Sequence, residues 1–168
     1  SETQIDCGGS SISWAAVKMA QDTLGTLKGK SVLVIGAGKM GRLALEQLKA
    51  KGPGALYIMN RTPEYSLSLA QEAGAQVVSF WDVKEILSKV DVCICSASAP
   101  HYLIQEELVK EVMRLRKEGL LFIDISIPRN IDPAVALLEN VSLFSVDDLD
   151  RVVHETIFKR QSAVARVE

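Results

Sequence analysis

Short apolar runs alternate along the chain with longer stretches whose apolar positions recur every three or four residues. The clearest run is Val32-Leu33-Val34-Ile35, where no polar residue interrupts, as in a strand buried on both faces. With Ser31 it predicts a first strand over 31–35. Ala55 to Met59, Gln76 to Phe80, Val90 to Cys95, Leu120 to Ile125 and Val141 to Val146 read as five more. Between them the period becomes helical. A leading helix, capped by Ser10 or Ser11, runs to about Leu24, with Ile12, Ala15, Ala16, Met19 and Ala20 as its apolar stripe and Val17 and Leu24 widening it. Helices are also predicted over 42–51, 63–73, 83–89 (capped by Asp82) and 106–117, and a last one starts from a cap at Asp147 or Asp148. Strands alternating with helices mean an α/β fold: a doubly wound, mostly parallel six-stranded sheet of Rossmann type, order 3-2-1-4-5-6, with a leading and a C-terminal helix. Residues 1–9, polar and ending in Gly8-Gly9, read as a linker; 10–148 read as the nucleotide-binding domain, and 149–168 as the start of a C-terminal helix.

The first strand runs into Gly36-Ala37-Gly38-Lys39-Met40-Gly41 and then into a helix. Strand, glycine turn and helix together are the context that a dinucleotide fingerprint requires. Gly36 permits the tight turn, Gly38 lets the backbone approach a pyrophosphate, and Gly41 lets the helix pack close to the strand. The helix amides and the positive end of its dipole then face the phosphates. In such a sheet the ligand lies at the carboxyl ends of the strands, near the switch point between strands one and four. The loops that reach this region are 36–41, 60–62, 96–101 and 126–130.

The second strand ends in Asn60-Arg61-Thr62, where an NAD site would carry a carboxylate for the ribose 2′-hydroxyl. An amide, a guanidinium and a hydroxyl would instead receive a 2′-phosphate, so NADPH is the expected cofactor. Ser96, Ala97 and Ser98, after the fourth strand, complete the expected cofactor-binding set.

The 168 residues suit one domain; 48% hydrophobic and 24% charged residues mark a globular chain, and a net charge of −2 with scattered basic residues gives no nucleic-acid footprint. No apolar run approaches membrane-spanning length. The chain begins without Met and stops inside an apparent helix, so a piece of a longer protein is expected. Cys7, Cys93 and Cys95 form no Cys-x-x-Cys pair, which points to a reduced, cytoplasmic setting. Cys93 and Cys95 share one strand face and read as core thiols, and no metal site is expected. His101 lies in a loop at the ligand end, while His154 reads as a surface residue of the last helix. Trp14 reads as core packing rather than as an anchor against a neighbouring domain. Arg129 reads as anchoring its own loop through a carboxylate such as Asp132, or else as facing the active site. Asp124 reads as satisfying neighbouring backbone groups.

Several motifs stand together: Ser11-Ile12-Ser13-Trp14-Ala15-Ala16-Val17, the glycine turn, Asn60-Arg61-Thr62, Ser96-Ala97-Ser98-Ala99-Pro100-His101, Ile123 to Pro133, and Asp147-Asp148-Leu149. In this set the chain resembles the NADPH-binding domain of glutamyl-tRNA reductase, from about residue 3 to its end. The Ala-Pro-His and Pro-Arg-x-Ile-Asp-Pro elements discriminate most, since Asn-Arg-Thr also occurs in shikimate dehydrogenases. The resemblance implies reduction of glutamyl-tRNA to glutamate-1-semialdehyde in tetrapyrrole synthesis. A cysteine of a separate catalytic domain would form a thioester, and NADPH would deliver hydride to it. That domain, with its threonine-cysteine-asparagine motif, is absent here. Cys7 is not that nucleophile, no catalytic residue is assigned, and the chain alone should be inactive. Also implied are glutamyl-tRNA as a partner through the missing domain, a homodimer through a missing C-terminal domain, and product transfer to a glutamate-1-semialdehyde aminomutase. Lys39 departs from a frequently acidic position and favours the pyrophosphate; Asn130 stands where the family usually has Asp. A shikimate-type NADP dehydrogenase and a non-enzymatic NADP(H)-sensing module are the alternatives.

Overall fold

A computed structural model describes residues 2–36, 38–61 and 63–167, with side chains outside the description at 2–9, 63–65 and 163–167. The elements follow as α1 (Glu2–Leu24), β1 (Ser31–Ile35), α2 (Lys39–Lys49), β2 (Ala55–Met59), α3 (Pro63–Ala73), β3 (Gln76–Val78), α4 (Val83–Leu87), β4 (Val92–Cys95), α5 (Glu106–Leu115), β5 (Leu120–Asp124), β6 (Val141–Ser145) and α6 (Val146–Val167). Two short 3-10 helices, Phe80–Asp82 and Pro133–Leu137, precede α4 and β6. The six strands lie in the order β3-β2-β1-β4-β5-β6, with every neighbouring pair parallel. This is the expected doubly wound sheet.

The unbroken apolar runs have a direct cause: each strand feeds two cores. Val32, Val34, Leu56, Ile58, Val92, Ile94, Leu121 and Ile123 meet residues of α1, α2, α3 and α6 on one face. Leu33, Ile35, Met59, Cys93, Cys95, Leu120 and Phe122 meet α4, α5 and the 3-10 helices on the other. Successive strand side chains point to opposite faces, so a strand covered on both sides keeps no polar alternation. On α1, Ala15, Ala16 and Ala20 are wholly buried, and small residues there let the helix lie close to α2 and α6. Trp14 packs against the first core, as expected.

Some boundaries differ from expectation. The leading helix starts at Glu2, running through Gly8-Gly9 where a linker and a cap at Ser10 or Ser11 were expected. Adding a residue to an existing helix costs far less than nucleating one, so two glycines, at about 1 kcal/mol each, do not stop it. The third strand stops at Val78 because Ser79 caps a 3-10 turn, its Oγ accepting from the Trp81 amide at 3.2 Å. Asp82 makes no side-chain cap bond at α4. The fifth helix ends at Leu115 because Arg116 turns extended. The Arg116 guanidinium then donates to the carbonyls of Leu87, Val90, Glu118 and Gly119 at 2.6–3.0 Å. The last helix starts at Val146, so Ser145 precedes it where a cap at Asp147 or Asp148 is expected. The Asp148 carboxylate accepts from the Ser145 amide at 2.8 Å and its hydroxyl at 3.3 Å. Asp148, at the third helical position, thus makes the acid's half of a capping box, reaching back to the amide of Ser145 before the helix.

Candidate functional site

The carboxyl ends of the central strands are stitched together by backbone hydrogen bonds. The Gly36 amide donates to the Met59 carbonyl at 2.8 Å, the Ser96 amide to the Ile35 carbonyl at 2.8 Å, and the Ile125 amide to the Cys95 carbonyl at 2.9 Å. The exits of β2, β1, β4 and β5 therefore lie side by side, at the switch point where parallel sheets hold ligands. The expected loops 36–41, 60–61, 96–101 and 126–130 all leave from this end.

Two of the three turn glycines are required by the protein itself. Gly36 has φ +105°, and a Cβ there would stand 2.7 Å from the Ser96 carbonyl oxygen. A Cβ on Gly41 would collide with the Gly36 carbonyl oxygen and come within 3.0 Å of the Ser96 Oγ. Gly38 is different: it is exposed, and a Cβ on it would meet nothing within 4 Å. Its openness leaves room for a ligand to approach the backbone. Gly38 is also the N-cap of α2, with no side-chain cap bond and no acidic residue in the first turn. The first amides of a helix lack intrahelical partners, and the first turn of α2 carries no carboxylate to compete for them. Lys39 is exposed beside them, while Met40 is half-buried and held by α1, whose Ser13 Oγ donates to its carbonyl at 3.3 Å. A dinucleotide pyrophosphate fits this turn sterically and electrostatically.

At the end of β2, Asn60 is half-buried and Arg61 exposed, with no acid at either position. After β4, Ser96 is buried, and its Oγ donates to the Ile35 carbonyl at 3.3 Å. Ala97 is half-buried; Ser98 is exposed and takes a left-handed φ of 55°. Ala37 and Thr62, also expected in the site, lie outside the described residues, as does the side chain of Cys7.

Across the switch point, polar side chains hold the loops. Asp124, the last residue of β5, is almost wholly buried. Its Oδ1 accepts from the Ser126 amide at 3.0 Å, and its Oδ2 accepts from the Asn130 and Ile131 amides at 2.9 Å each. Asn130 is wholly buried. Its Oδ1 accepts from the Ala99 amide at 3.1 Å, while Nδ2 donates to the Ala99 and His101 carbonyls at 2.8 and 3.1 Å. Its backbone carbonyl accepts from the amides of Leu103 and Ile104. Asp124 thus folds the loop after β5, and Asn130 locks that loop to the one after β4. This clasp was not foreseen at Asn130, whose partners lie about thirty residues away. An amide suits the position because it both accepts and donates; a carboxylate would set oxygens against two carbonyls.

His101 contributes its carbonyl to the clasp, and its side chain is exposed. Arg129 pairs with Asp147 at 3.1 Å, not with Asp132, whose carboxylate caps the second 3-10 helix at the Ala134 amide. His154 is exposed on α6. Cys93 and Cys95 are buried on one face of β4. Burial, reinforced by the Asp124 carboxylate, pushes the Cys95 thiol up to about 12, and burial also lifts Cys93 well above the usual thiol range. Such thiols are neutral packing groups rather than nucleophiles. Among the described residues, no three His, Cys, Asp or Glu side chains cluster in a way that could hold a metal, and no helix is long and apolar enough to cross a membrane.

A family model described as shikimate / quinate 5-dehydrogenase matches residues 18–152. Among curated proteins, the chain is 45% identical to a glutamyl-tRNA reductase of Thermodesulfovibrio yellowstonii, over 95% of this chain and 38% of that protein. It is 42% identical to the glutamyl-tRNA reductase of Archaeoglobus fulgidus, over 99% of this chain and 38% of that protein. Among solved structures, glutamyl-tRNA reductase from Methanopyrus kandleri superposes with a TM-score of 0.86 at 35% identity, covering 93% of this chain and 40% of that one. The chain therefore spans well under half the length of the relatives it matches.

Proposed function

The chain belongs to the shikimate/quinate 5-dehydrogenase family, and we propose that within it the chain is the NADPH-binding part of a glutamyl-tRNA reductase. The observation that carries this reading is the extent of the likeness to such reductases: 42–45% identity over 95–99% of the chain. The whole enzyme would reduce glutamyl-tRNA to glutamate-1-semialdehyde. The chain would supply the cofactor's cradle, and the nucleophilic cysteine would come from outside it. The fragment alone would then bind cofactor and turn nothing over. The family model's name favours a second reading, the cofactor domain of a shikimate-type dehydrogenase acting on another substrate.

When bound, NADPH supplies the hydride. The chain's own residues would bind and orient it. The amides at the start of α2, with Lys39, would face the pyrophosphate across the open side of Gly38. Asn60, Arg61 and Thr62 would meet the 2′-phosphate; the absence of a carboxylate at 60–61 supports this choice over NADH. Ser96, Ala97 and Ser98 would line the crossing between the two halves. As proposals at the level of the whole protein, glutamyl-tRNA, a second copy of the chain and a glutamate-1-semialdehyde aminomutase are the partners, in the cytoplasm.

Two measurements test this. Arg61→Ala should weaken NADPH by about tenfold, one charge-assisted hydrogen bond, and leave NADH nearly unchanged. Equal changes for both cofactors would overturn the assignment of Arg61. The full-length protein, given glutamyl-tRNA and NADPH, should form the semialdehyde; none from well-folded protein would overturn the reductase reading.

A further inference from the structure

Trp81 is 97% exposed, although tryptophan is among the side chains that gain most from burial. The turn that carries it is firmly built. Ser79 Oγ accepts from the Trp81 amide at 3.2 Å, and the Asp82 amide donates to the Ser79 carbonyl at 2.9 Å. On either side Phe80 and Val83 pack against the second core. The chain thus turns its apolar neighbours inward and holds the indole out in water.

The position of this turn gives the indole a use. In the parallel register of β2 and β3, Met59 pairs with Val78. Asn60 and Ser79 are therefore the first residues beyond the sheet on adjacent strands, which lie about 4.8 Å apart. Arg61 is the next residue after Asn60, and Trp81 lies two residues beyond Ser79, both exposed, at the same carboxyl end. This is the half of the crevice on the β1-β2-β3 side, opposite the loops after β4 and β5. A dinucleotide crossing α2 with its pyrophosphate, and its 2′-phosphate at Arg61, must leave its adenine ring in that half. An indole offers a flat π-face to a flat base, and a base of any identity stacks on it.

We propose that Trp81 is the stacking platform for the adenine ring of the dinucleotide, making it a further binding residue beside Asn60 and Arg61. The proposal rests on the dinucleotide reading above. It assigns Trp81 to the adenosine half of the ligand and to no part of the nicotinamide half.

The test is calorimetric titration of the full-length protein and its Trp81→Ala and Trp81→Phe variants with NADPH and with adenosine 2′,5′-bisphosphate, which lacks the nicotinamide half. Trp81→Ala should weaken both ligands alike, by about tenfold, and Trp81→Phe should restore most of the affinity. The bisphosphate should also quench indole fluorescence in the wild type, and that quench should be missing in Trp81→Phe. Wild-type affinity for both ligands in Trp81→Ala would overturn the proposal. If Arg61→Ala still lost NADPH selectively, the cofactor reading would stand without it. A wild-type protein that binds neither ligand would overturn both.

Discussion

The two halves of the strand carboxyl edge are built by opposite means. On the β1 side, shape is set by what is absent. Gly36 and Gly41 lack side chains because backbone and Ser96 atoms already fill that space, and Gly38 lacks one where the space is open. On the β4–β5 side, shape is set by what is present: a buried carboxylate and a buried amide that together make six side-chain hydrogen bonds to five residues' backbones. The first design tolerates no added atom at Gly36 or Gly41. The second tolerates no lost or reversed hydrogen bond. A site made to hold one end of a ligand by backbone contact and to shape the other with loops has reason to use both.

The comparison breaks most visibly at Gly36. Gly36→Ala combines a left-handed φ with a methyl group 2.7 Å from a backbone oxygen, so denaturant unfolding should show a loss of about 3 kcal/mol or more. Gly38→Ala is its control. With φ −76° and nothing within 4 Å, it should cost no more than about 1 kcal/mol, the difference between glycine and alanine at a helix N-cap, while weakening NADPH. Equal destabilisation by the two would refute the division between glycines that serve packing and the one that serves the ligand.

On the other half, Asn130→Ala removes three side-chain hydrogen bonds and leaves the Ala99 amide and two carbonyls without their partner. A cost of about 2–3 kcal/mol is expected. Hydrogen exchange should show the Ala99 amide losing protection while the β1 amides keep theirs. Loss spread evenly over both halves would mean that the clasp is not a local device.

These two designs differ in how much of them can be read from sequence. Steric exclusion leaves a mark: glycines at fixed spacing between an apolar run and a helix, so the turn at 36–41 was legible in place and shape. The strands were legible because burial on both faces suppresses polar alternation, as at Val32 to Ile35 and Leu56 to Met59. Asp124 was legible in kind, since a carboxylate closing a buried strand must find amides. Asn130 was not, because its partners sit a whole helix-and-strand unit away and impose no spacing. The same blindness explains Arg116, which four distant or turned carbonyls capture. The cap of α6 was misplaced for a subtler reason: in a capping box the acid that stands out in the sequence is the third helical position, and the modest Ser145 before it is the cap.

That cap offers a smaller effect on the network half. Partial burial raises the Asp148 carboxyl, but hydrogen bonds from the Ser145 amide, Arg151 and the Ser145 hydroxyl outweigh it, so the group titrates below its ordinary value of 3.8. A carboxyl with a depressed folded-state value stabilises the fold above its unfolded value and loses that contribution as pH falls through the folded one. Asp148→Ala should therefore cost about 1 kcal/mol near neutral pH. The gap to wild type should close in acid, below the ordinary value. A gap that persists when the carboxyl is protonated would assign the effect to packing and not to the cap.

The smallest effect should come from Arg129, and it decides whether the clasp acts alone. Arg129 and Asp147 meet at 3.1 Å and tie the loop after β5 to α6, but their side chains are 44% and 82% exposed. An exposed pair gains little over water and gives up side-chain freedom, so Arg129→Ala should cost no more than about 0.5 kcal/mol. The same loop's backbone is already held at Ser126, Asn130 and Ile131 by Asp124. A loss above about 1.5 kcal/mol, falling as salt is added, would show that the loop leans on its surface charge. The buried carboxylate and amide would then be followers of that ion pair, and the contrast between the two halves would have to be redrawn around α6.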